Sequence, residues 1–309
     1  MRKLLICLAL IVAAGAATLH LSPAALLASV QFTERQLAGL DSRNVQVGEF
    51  NIHYYEGGPQ GAETILMIHG FGADKGNWLR FSRPLTARYH VVALDLPGFG
   101  DSSKPEGSYD VGTQVERLNA FAKALGIHKL HLIGNSMGGH IAALYAARHP
   151  EQVLSVALLN NAGVSAPQAS ELFKRLDRGD ANPLLVRNAD DFNNMLDFLF
   201  VEKPPLPESL KQYLAQRAMA SHDFNQKIFS QLRERYIPLE PELAKIQVPT
   251  LLLWGDKDQV LDVSSIKVMQ PLLKQPSVVI MQACGHLPMI ERPEETAEHY
   301  QAFLDSVKS

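Results

Sequence analysis

The sequence predicts an α/β domain with a mostly parallel sheet, helices on both faces and an inserted helical cap, preceded by an apolar N-terminal segment. Short, uninterrupted runs of Val, Ile and Leu, each ending at a polar or glycine-rich turn, are typical of strands buried on both faces of a parallel sheet. Helical stretches alternate with these runs, as expected of a doubly wound domain. A stretch of about 80 residues without a clear strand pattern interrupts the alternation, which predicts the cap.

The N-terminal segment carries no acidic or basic charge from Leu4 to Thr33 and follows two basic residues. It fits either a retained membrane anchor, which needs about 20 apolar residues, or a signal peptide cleaved at a small-residue site such as 14–16. The basic start places the N-terminus in the cytoplasm. The anchor therefore predicts a single-pass protein of the bacterial cytoplasmic (inner) membrane with its body in the periplasm, whereas the cleaved signal predicts a secreted protein.

The residues after this segment favour the anchor. Ser22 suits a helix N-cap and Pro23 the first helical position, and apolar residues then keep helical spacing as far as Leu40. We therefore predict a membrane anchor and a juxtamembrane helix over residues 1–40. Small residues also repeat at the spacing by which membrane helices touch, which is compatible with a homodimer and no more: Ala9, Ala13 and Ala17.

Residues 41–163 and 245–309 are predicted to form the α/β core. Apolar residues from Val45 to Tyr54 roughly alternate around Gly48-Glu49, as in a β-hairpin. Six buried strand runs follow, at 64–70, 90–98, 129–136, 153–161, 250–256 and 277–286. Helices are expected at 110–125, 138–148, 264–273 and 293–307.

Residues 164–244 are predicted to form the cap, or lid. Apolar residues near 172–176, 192–200 and 224–232 keep helical spacing, and three prolines at 204–207 interrupt the pattern. A loop of this length is uncommon in a compact domain, so the segment is predicted to be helical and inserted between two strands. Most of its Phe and Leu side chains are expected to pack against the core.

A candidate nucleophile lies in the stretch Gly134-Asn135-Ser136-Met137-Gly138, between a predicted strand and a predicted helix. A sharp strand-to-helix turn lifts the serine hydroxyl above the sheet. Glycine two residues to either side removes the side chains that would collide with the neighbouring strand or helix. The unpaired N–H groups of the helix N-terminus favour negative charge beside the hydroxyl. We predict that Ser136 is a nucleophile.

A serine nucleophile needs a base, and a carboxylate normally holds that base. In the chain order serine, acid, histidine, the base follows the last strand, where the sequence CGHLP places His286. The loop after the preceding strand offers Asp256 and Asp258, with Asp262 further on. Asp258 is the predicted acid, because it lies deeper in its loop and Asp256 can serve the turn.

An ester hydrolase also needs donors for the oxyanion that forms when the nucleophile attacks. One donor is the backbone N–H of the residue after the nucleophile, Met137. The other is expected in the turn after the strand at 64–70, where the sequence is His69-Gly70-Phe71-Gly72. We predict the N–H groups of Phe71 and Met137 as the oxyanion hole.

Five motifs together resemble those of α/β-hydrolase-fold proteins: HGFGADKGNW at 69–78, DLPGFGDSS at 95–103, GNSMGG at 134–139, WGDKDQV at 254–260 and CGHLPMIERP at 284–293. The body from about residue 45 onwards is similar to this family and, more narrowly, to bacterial lipases and esterases that include membrane-anchored phospholipases A. The resemblance implies ester hydrolysis through an acyl-enzyme by Ser136, His286 and Asp258, with no metal and no cofactor. GNSMGG also resembles hydrolases that cleave carbon–carbon bonds in ring-fission products.

The predicted function is a membrane-anchored serine carboxylic-ester hydrolase that acts on acyl lipids, as a phospholipase A, a lysophospholipase or a lipase. Its expected partners are membrane phospholipids, fatty acids and the bilayer, whereas the net charge of −3 argues against nucleic acid. The alternatives are a ring-fission C–C hydrolase, an aminopeptidase or amidase, and a non-catalytic ligand-binding protein. Acidic residues such as Asp190 and Asp191 would serve an amine substrate, but they fit a solvated helix start better.

Overall fold

A computed structural model of the protein describes residues 22–308. Within them, eight strands form one sheet in the order β1-β2-β4-β3-β5-β6-β7-β8. The strands are β1 (Leu40–Val47), β2 (Phe50–Gly57), β3 (Thr64–Ile68), β4 (His90–Leu94), β5 (Leu130–Asn135), β6 (Val153–Leu159), β7 (Thr250–Gly255) and β8 (Pro276–Met281). The predicted mostly parallel α/β sheet is confirmed, since β4, β3 and β5 to β8 run parallel to one another.

The first two strands form the predicted hairpin. Val47 pairs with Phe50 across the two-residue turn at Gly48-Glu49, and Gly48 has a φ of 58°. A positive φ at this position is what glycine supplies in tight hairpin turns. β2 also pairs antiparallel with β4, so that the hairpin extends the edge of the parallel sheet.

Helices cover both faces of the sheet. They are α1 (Pro23–Leu37), α2 (Leu79–Ser82), α3 (Val111–Ala124), α4 (Met137–Arg148), α5 (Glu171–Asp177), α6 (Ala189–Leu199), α7 (Glu208–Ala220), α8 (His222–Glu234), α9 (Glu240–Leu243), α10 (Ser265–Met269), α11 (Pro288–Glu291) and α12 (Pro293–Lys308). Successive side chains of a strand point to opposite faces. In β3, Leu66 packs in the core under α3 and α4, whereas Ile65 and Met67 pack in the core under α12.

Helix α1 begins where the sequence predicts. The Ser22 hydroxyl accepts a hydrogen bond from the Ala25 N–H at 3.2 Å, and Pro23 is the first helical residue. No residue of α1 is buried. Ion pairs join Glu34 to Arg80, at 3.0 Å, and to Arg83, and α1 also packs against α7 and β1.

The predicted membrane anchor, from Leu4 to Leu19, lies outside the described residues. None of the helices within residues 22–308 has the length and apolar character that a membrane crossing requires.

Residues 164–244 contain five helices, α5 to α9, and no strand. Helix α7 is absent from the sequence-based expectation. Its apolar pattern is weak, because only Leu210 and Ala215 are buried, and the prolines before it predict an interruption. Asp190 and Asp191 lie in the first turn of α6, as expected of a solvated helix start.

Helix α10 and strand β8 are among the predicted elements that are shorter than their patterns. Helix α10 ends at Met269, because Pro271 has no N–H to donate and the chain continues as a 3₁₀ turn. Strand β8 ends at Met281 rather than continuing to residue 286. The residues after it form a loop that carries His286 and contains Ala283 at a φ of 52°.

Candidate active site

Ser136 lies between the end of β5 and the first residue of α4, with a φ of 56° and a ψ of −121°. Such a conformation costs a non-glycine residue roughly 1–3 kcal/mol and persists only where the surroundings impose it. The Ser136 N–H donates to Leu159 O, and the Ser136 carbonyl accepts from the Ala162 N–H, both at 3.0 Å. Ser136 is partly exposed, whereas Asn135 and Met137 on either side of it are buried. The turn therefore presents the serine hydroxyl to solvent.

The glycines around Ser136 are required by close backbone approach. A Cβ atom on Gly134 would lie 2.2 Å from the carbonyl oxygen of Gly138, in the first turn of α4. A Cβ atom on Gly138 would lie 2.2 Å from the carbonyl oxygen of Ile68, at the end of β3. These are the collisions with helix and strand that the motif predicts.

His286 and Asp258 are in direct contact. The Nδ1 atom of His286 lies 2.8 Å from Oδ2 of Asp258, and both residues are buried. The other oxygen of Asp258, Oδ1, accepts the backbone N–H groups of Val260 at 2.8 Å and Leu261 at 3.0 Å. The carboxylate is thus held by its own loop in the orientation that contacts the imidazole.

The other two acids weighed in the sequence have local partners. Asp256 pairs with the neighbouring Lys257 at 3.1 Å. The Oδ1 atom of Asp262 accepts the backbone N–H of Ser264 at 2.9 Å. Of the three carboxylates, Asp258 is the one that contacts His286.

Two other histidines of the core have structural roles. The ring of His69 lies 2.7 Å from Gly70 O through Nδ1 and accepts the Leu96 N–H at 3.0 Å through Nε2. The Nε2 atom of His140 lies 2.8 Å from Ile237 O, and burial lowers the pKa of this histidine to about 4. Both imidazoles are therefore neutral at pH 7.

Ser136 and His286 line the same cavity, and no hydrogen bond joins the serine hydroxyl to the imidazole within the described residues. Catalytic hydrogen bonds of unliganded enzymes are often long and shorten when substrate binds. The two residues are tied together through Asn135, next to the serine, whose side-chain Nδ2 donates to His286 O at 3.0 Å. This bond fixes the loop that carries His286 directly beside the turn that carries Ser136.

Asn160 is a site residue that the sequence analysis missed. Its Nδ2 atom donates to Asp258 Oδ2 at 2.7 Å and to Gly285 O at 3.3 Å. Asn160 is fully buried and has a φ of 45°, directly after β6. The side-chain amide therefore bonds the same carboxylate oxygen that contacts His286. The pair Asn160-Asn161 at the end of a strand is the only sequence signal for it.

The expected oxyanion donors are backbone N–H groups next to Ser136 and in the turn after β3. Neither the Phe71 N–H nor the Met137 N–H donates a hydrogen bond to any other described residue. Gly70 brings the first of them close to the nucleophile, since a Cβ atom on Gly70 would lie 3.1 Å from Cβ of Ser136. Two unpaired N–H groups beside the serine are what stabilisation of an oxyanion requires.

Two cavities meet at Ser136, with Phe71 and Leu184 also lining both. Cavity A has a volume of about 550 Å³, and its further lining includes Met137, His140, Leu172, Phe229 and Leu232. Cavity B has a volume of about 380 Å³, and its further lining includes Phe192, Leu196, Leu214, Arg217 and His286. Most of the apolar side chains that line the two cavities belong to residues 164–244.

The described residues also bear on metal and on thiol chemistry. Within residues 22–308, no three His, Cys, Asp or Glu side chains cluster closely enough to hold a metal ion. Cys284 is a free cysteine, and burial raises the pKa of its thiol to about 12, so that it is protonated at pH 7. Cys7 lies outside the described residues.

Comparison with known proteins assigns the chain to a family. Residues 63–293 match the family model described as the alpha/beta hydrolase fold. Lipase 1 of Psychrobacter immobilis is 37% identical over 255 residues, which are 81% of this chain and 79% of that protein. Monoacylglycerol lipase abhd6-B of Xenopus laevis is 33% identical over 300 residues, which are 93% of this chain and 89% of that protein.

A solved structure matches the whole chain. It is the crystal structure of a bacterial membrane phospholipase A described as a virulence factor, with 66% sequence identity and a TM-score of 0.93. The match covers 100% of both chains.

Proposed function

The chain belongs to the α/β-hydrolase family, and we propose that it is a serine hydrolase that cleaves the acyl esters of membrane phospholipids, as a phospholipase A or a lysophospholipase. Ester hydrolysis of the lipase type follows from its lipase relatives and from the phospholipase A structure that it matches over its full length. The observation that carries the proposal is the contact of Asp258 with His286, in a cavity that Ser136 also lines.

The proposed reaction uses the Ser136 hydroxyl, the His286 imidazole, the Asp258 carboxylate that orients it, and two backbone N–H groups. His286 takes the proton of the Ser136 hydroxyl, and the serine oxygen attacks the ester carbonyl carbon. The N–H groups of Phe71 and Met137 stabilise the oxyanion, and each such donor is typically worth about 3 kcal/mol of the barrier. Collapse of the tetrahedral intermediate breaks the ester bond, and His286 returns the proton to the leaving alkoxide. His286 then takes a proton from water, whose oxygen attacks the acyl-enzyme and releases the fatty acid, while the proton returns to Ser136.

The linings of the two cavities support separate binding sites for the leaving alcohol and the acyl chain. The leaving alcohol must lie beside the histidine that protonates it, and His286 lines cavity B but not cavity A. The acyl chain then occupies cavity A, whose lining is mainly apolar around Leu172 and Leu232. We propose that residues 164–244, which supply much of the lining of both cavities, act as the substrate-binding cap.

We further propose that the protein is associated with a membrane through residues 1–21. The uncharged apolar segment at the start of the sequence and the relationship to a membrane phospholipase A support this assignment. Helix α1 exposes Val30, Phe32 and Leu37 to solvent and packs against α7, whose Arg217 lines cavity B. Lipid leaving the bilayer would therefore reach the cavity past α1.

The Ser136→Ala variant tests the catalytic proposal. We expect release of fatty acid from phospholipid micelles to fall by at least about 10⁴-fold, because the other groups cannot replace the nucleophile. Labelling by a fluorophosphonate probe should disappear as well. Circular dichroism and the melting temperature should match those of the wild type, because the variant keeps the Cβ atom and removes only the hydroxyl.

Two results would reject the proposal. One is a Ser136→Ala protein that still hydrolyses acyl esters. The other is a correctly folded wild type that releases fatty acid from no phospholipid or lysophospholipid of any chain length.

A further inference from the structure

Two cationic side chains at cavity B have no assigned role. Lys104 lies in the loop between β4 and α3, Arg217 lies near the end of α7, and both line this cavity. Both residues are exposed, and neither forms a salt bridge with another described residue. The rest of the cavity wall on α6 and α7 is mainly apolar, including Phe192, Leu196 and Leu214. An anionic group entering the cavity would meet the two cations.

The charges around these cations leave them available. The Lys75 ammonium is buried and lies 2.6 Å from Asp95 Oδ2 and 2.7 Å from Asp101 Oδ2. Burial alone would raise the pKa of Asp101, but the hydrogen bond and charge of Lys75, together with the charges of His53 and Arg217, lower it below its usual value. Lys75 thus neutralises the charge of one of the two carboxylates. The two positive charges of Lys104 and Arg217 outnumber the one negative charge that remains.

Among the described residues that line cavity B, Asp74 supplies the one carboxyl group. Burial raises the pKa of this carboxyl group, and its Oδ1 atom accepts the Gly76 N–H at 2.8 Å. Because two cations and one carboxyl group line cavity B, its wall near Lys104 and Arg217 is net positive even with Asp74 ionised, although the chain as a whole carries a net charge of −3.

The chemistry of the leaving group indicates which anion this wall receives. The leaving alcohol lies in cavity B, because His286 must protonate it there. In a phospholipid that alcohol is a glycerol carrying a phosphate diester only a few bonds from the ester oxygen. Arginine suits a phosphate because its planar guanidinium can donate two parallel hydrogen bonds, and lysine adds a point charge.

We propose that Lys104 and Arg217 form a subsite for the headgroup phosphate of the phospholipid whose ester lies over Ser136. This inference rests on the proposed ester hydrolysis and deepens it, because the subsite makes the enzyme prefer phospholipids to neutral acylglycerols. The subsite binds the phosphate common to all phospholipids and is indifferent to the alcohol beyond it.

The test compares two substrates that differ in the phosphate group. Palmitoyl lysophosphatidylcholine and monopalmitoylglycerol share the acyl chain and the glycerol, and they are presented to the full chain in the same non-ionic micelles. In Arg217→Gln and in Lys104→Gln, the ratio of the two kcat/KM values should shift about tenfold towards the neutral substrate, because a charged hydrogen bond to phosphate is lost.

Arg233→Gln is the matched control. Arg233 is also exposed and lines a cavity without a salt bridge to another described residue, but its cavity is A. The ratio should equal that of the wild type in this variant. A shift in Arg233→Gln instead of Arg217→Gln would place the phosphate in the wrong cavity and overturn the inference.

Other outcomes separate this inference from the proposed function. A wild type that hydrolyses both substrates, with equal losses on both in the Arg217 and Lys104 variants, rejects the phosphate subsite and leaves ester hydrolysis standing. A wild type that hydrolyses neither substrate rejects the proposed function itself. If inorganic phosphate inhibits hydrolysis of monopalmitoylglycerol while the substrate ratio stays unchanged in both variants, the cations bind free phosphate, and the headgroup assignment is wrong.

Discussion

Three non-glycine residues of the described chain have a positive φ, and all three surround the candidate site. They are Ser136 at 56°, Asn160 at 45° and Ala283 at 52°. Ser136 follows β5, Asn160 follows β6 and bonds Asp258, and Ala283 lies in the loop that carries His286. Backbone strain of this kind gathers at functional sites, where the rest of the fold compensates for it.

Asn160 allows the role of one positioning side chain to be measured. The Asn160→Gly variant keeps a residue that tolerates the positive φ and removes the amide that bonds Asp258. We expect kcat to fall on the order of a hundredfold with little change in KM, because a small displacement of the Asp258–His286 pair misorients the base. Steady-state kinetics on a soluble acyl ester and the rate of fluorophosphonate labelling measure the effect.

Asn161→Ala is the control for this measurement. Asn161 is equally buried, but its side-chain amide bonds only the carbonyl of the adjacent Ala162, at 2.9 Å. Its kcat should stay close to that of the wild type. Equal losses in the two variants, or a rise in KM alone, would show that Asn160 supports the fold rather than the catalytic pair.

At the scale of elements, the junction of β5 and α4 depends on two close approaches of backbone to backbone. In the Gly138→Ala variant the new methyl group would lie 2.2 Å from Ile68 O and 2.4 Å from His69 O. These are backbone atoms, which cannot rotate away. We expect the free energy of unfolding to fall by at least about 2 kcal/mol, as measured by urea denaturation, and hydrolysis to fall with it, because the turn at His69 leads to Phe71.

Gly48→Ala separates this collision from the general cost of replacing a glycine. Gly48 has a φ of 58°, and a Cβ atom there would meet nothing within 4 Å. The substitution should cost only about 1 kcal/mol, which is the conformational penalty of a left-handed residue. A Gly138→Ala protein as stable as Gly48→Ala would contradict the packing of α4 on β3.

The elements also show where sequence patterns are informative. Turn residues specify the hairpin at Gly48-Glu49, and capping residues specify the start of α1 at Ser22-Pro23. Both features are therefore predictable from a few neighbouring positions. Helix α7 carries no comparable signal, because it buries so few apolar side chains. Its helical state depends on neighbours such as α1 and α6.

At the scale of the whole molecule, buried neutral histidines link stability to pH. His140 joins the nucleophile helix α4 to the segment before β7 through Ile237 O, and burial lowers the pKa of its imidazole from 6.5 to about 4. Burial lowers the pKa of His69 and of His131 as well. In each case the folded protein holds the neutral ring, whereas the unfolded chain binds a proton more readily.

The sign of the effect follows from this difference. Between pH 6.5 and about 4 the unfolded chain protonates His140 and the native protein does not, so stability falls as pH falls through this window and levels off below it. The contribution of His140 is about 3 kcal/mol, spread over that range. The His140→Gln variant keeps a donor for Ile237 O and does not titrate, so its free energy of unfolding should depend less on pH.

Chemical denaturation at several pH values between 4 and 7 measures this contribution as the difference between wild type and variant. This difference cancels the contributions of the carboxylates and of the other histidines, such as His69 and His131, because these groups titrate in both proteins. Parallel curves for the two proteins would show that His140 is not held neutral in the fold.

The amino-acid sequence is sufficient to predict the features that local sterics and chain order dictate. Only glycine fits at positions 134 and 138, where a strand turns sharply into a helix, so the motif alone points to Ser136. The order of strand ends along the chain likewise indicates His286 and Asp258, and the predicted roles of these residues, of Phe71 and of Met137 stay predictions until they are measured.

The contacts between residues far apart in the chain become visible in the folded structure alone. Asn160 reaches Asp258 because β6 lies beside β7 in the sheet, and the two cavities exist because residues 164–244 fold back over Ser136. The conformation of a glycine, a cap or a turn residue is set by its immediate neighbours in the sequence. A hydrogen bond across 98 positions instead depends on which buried strands pack side by side.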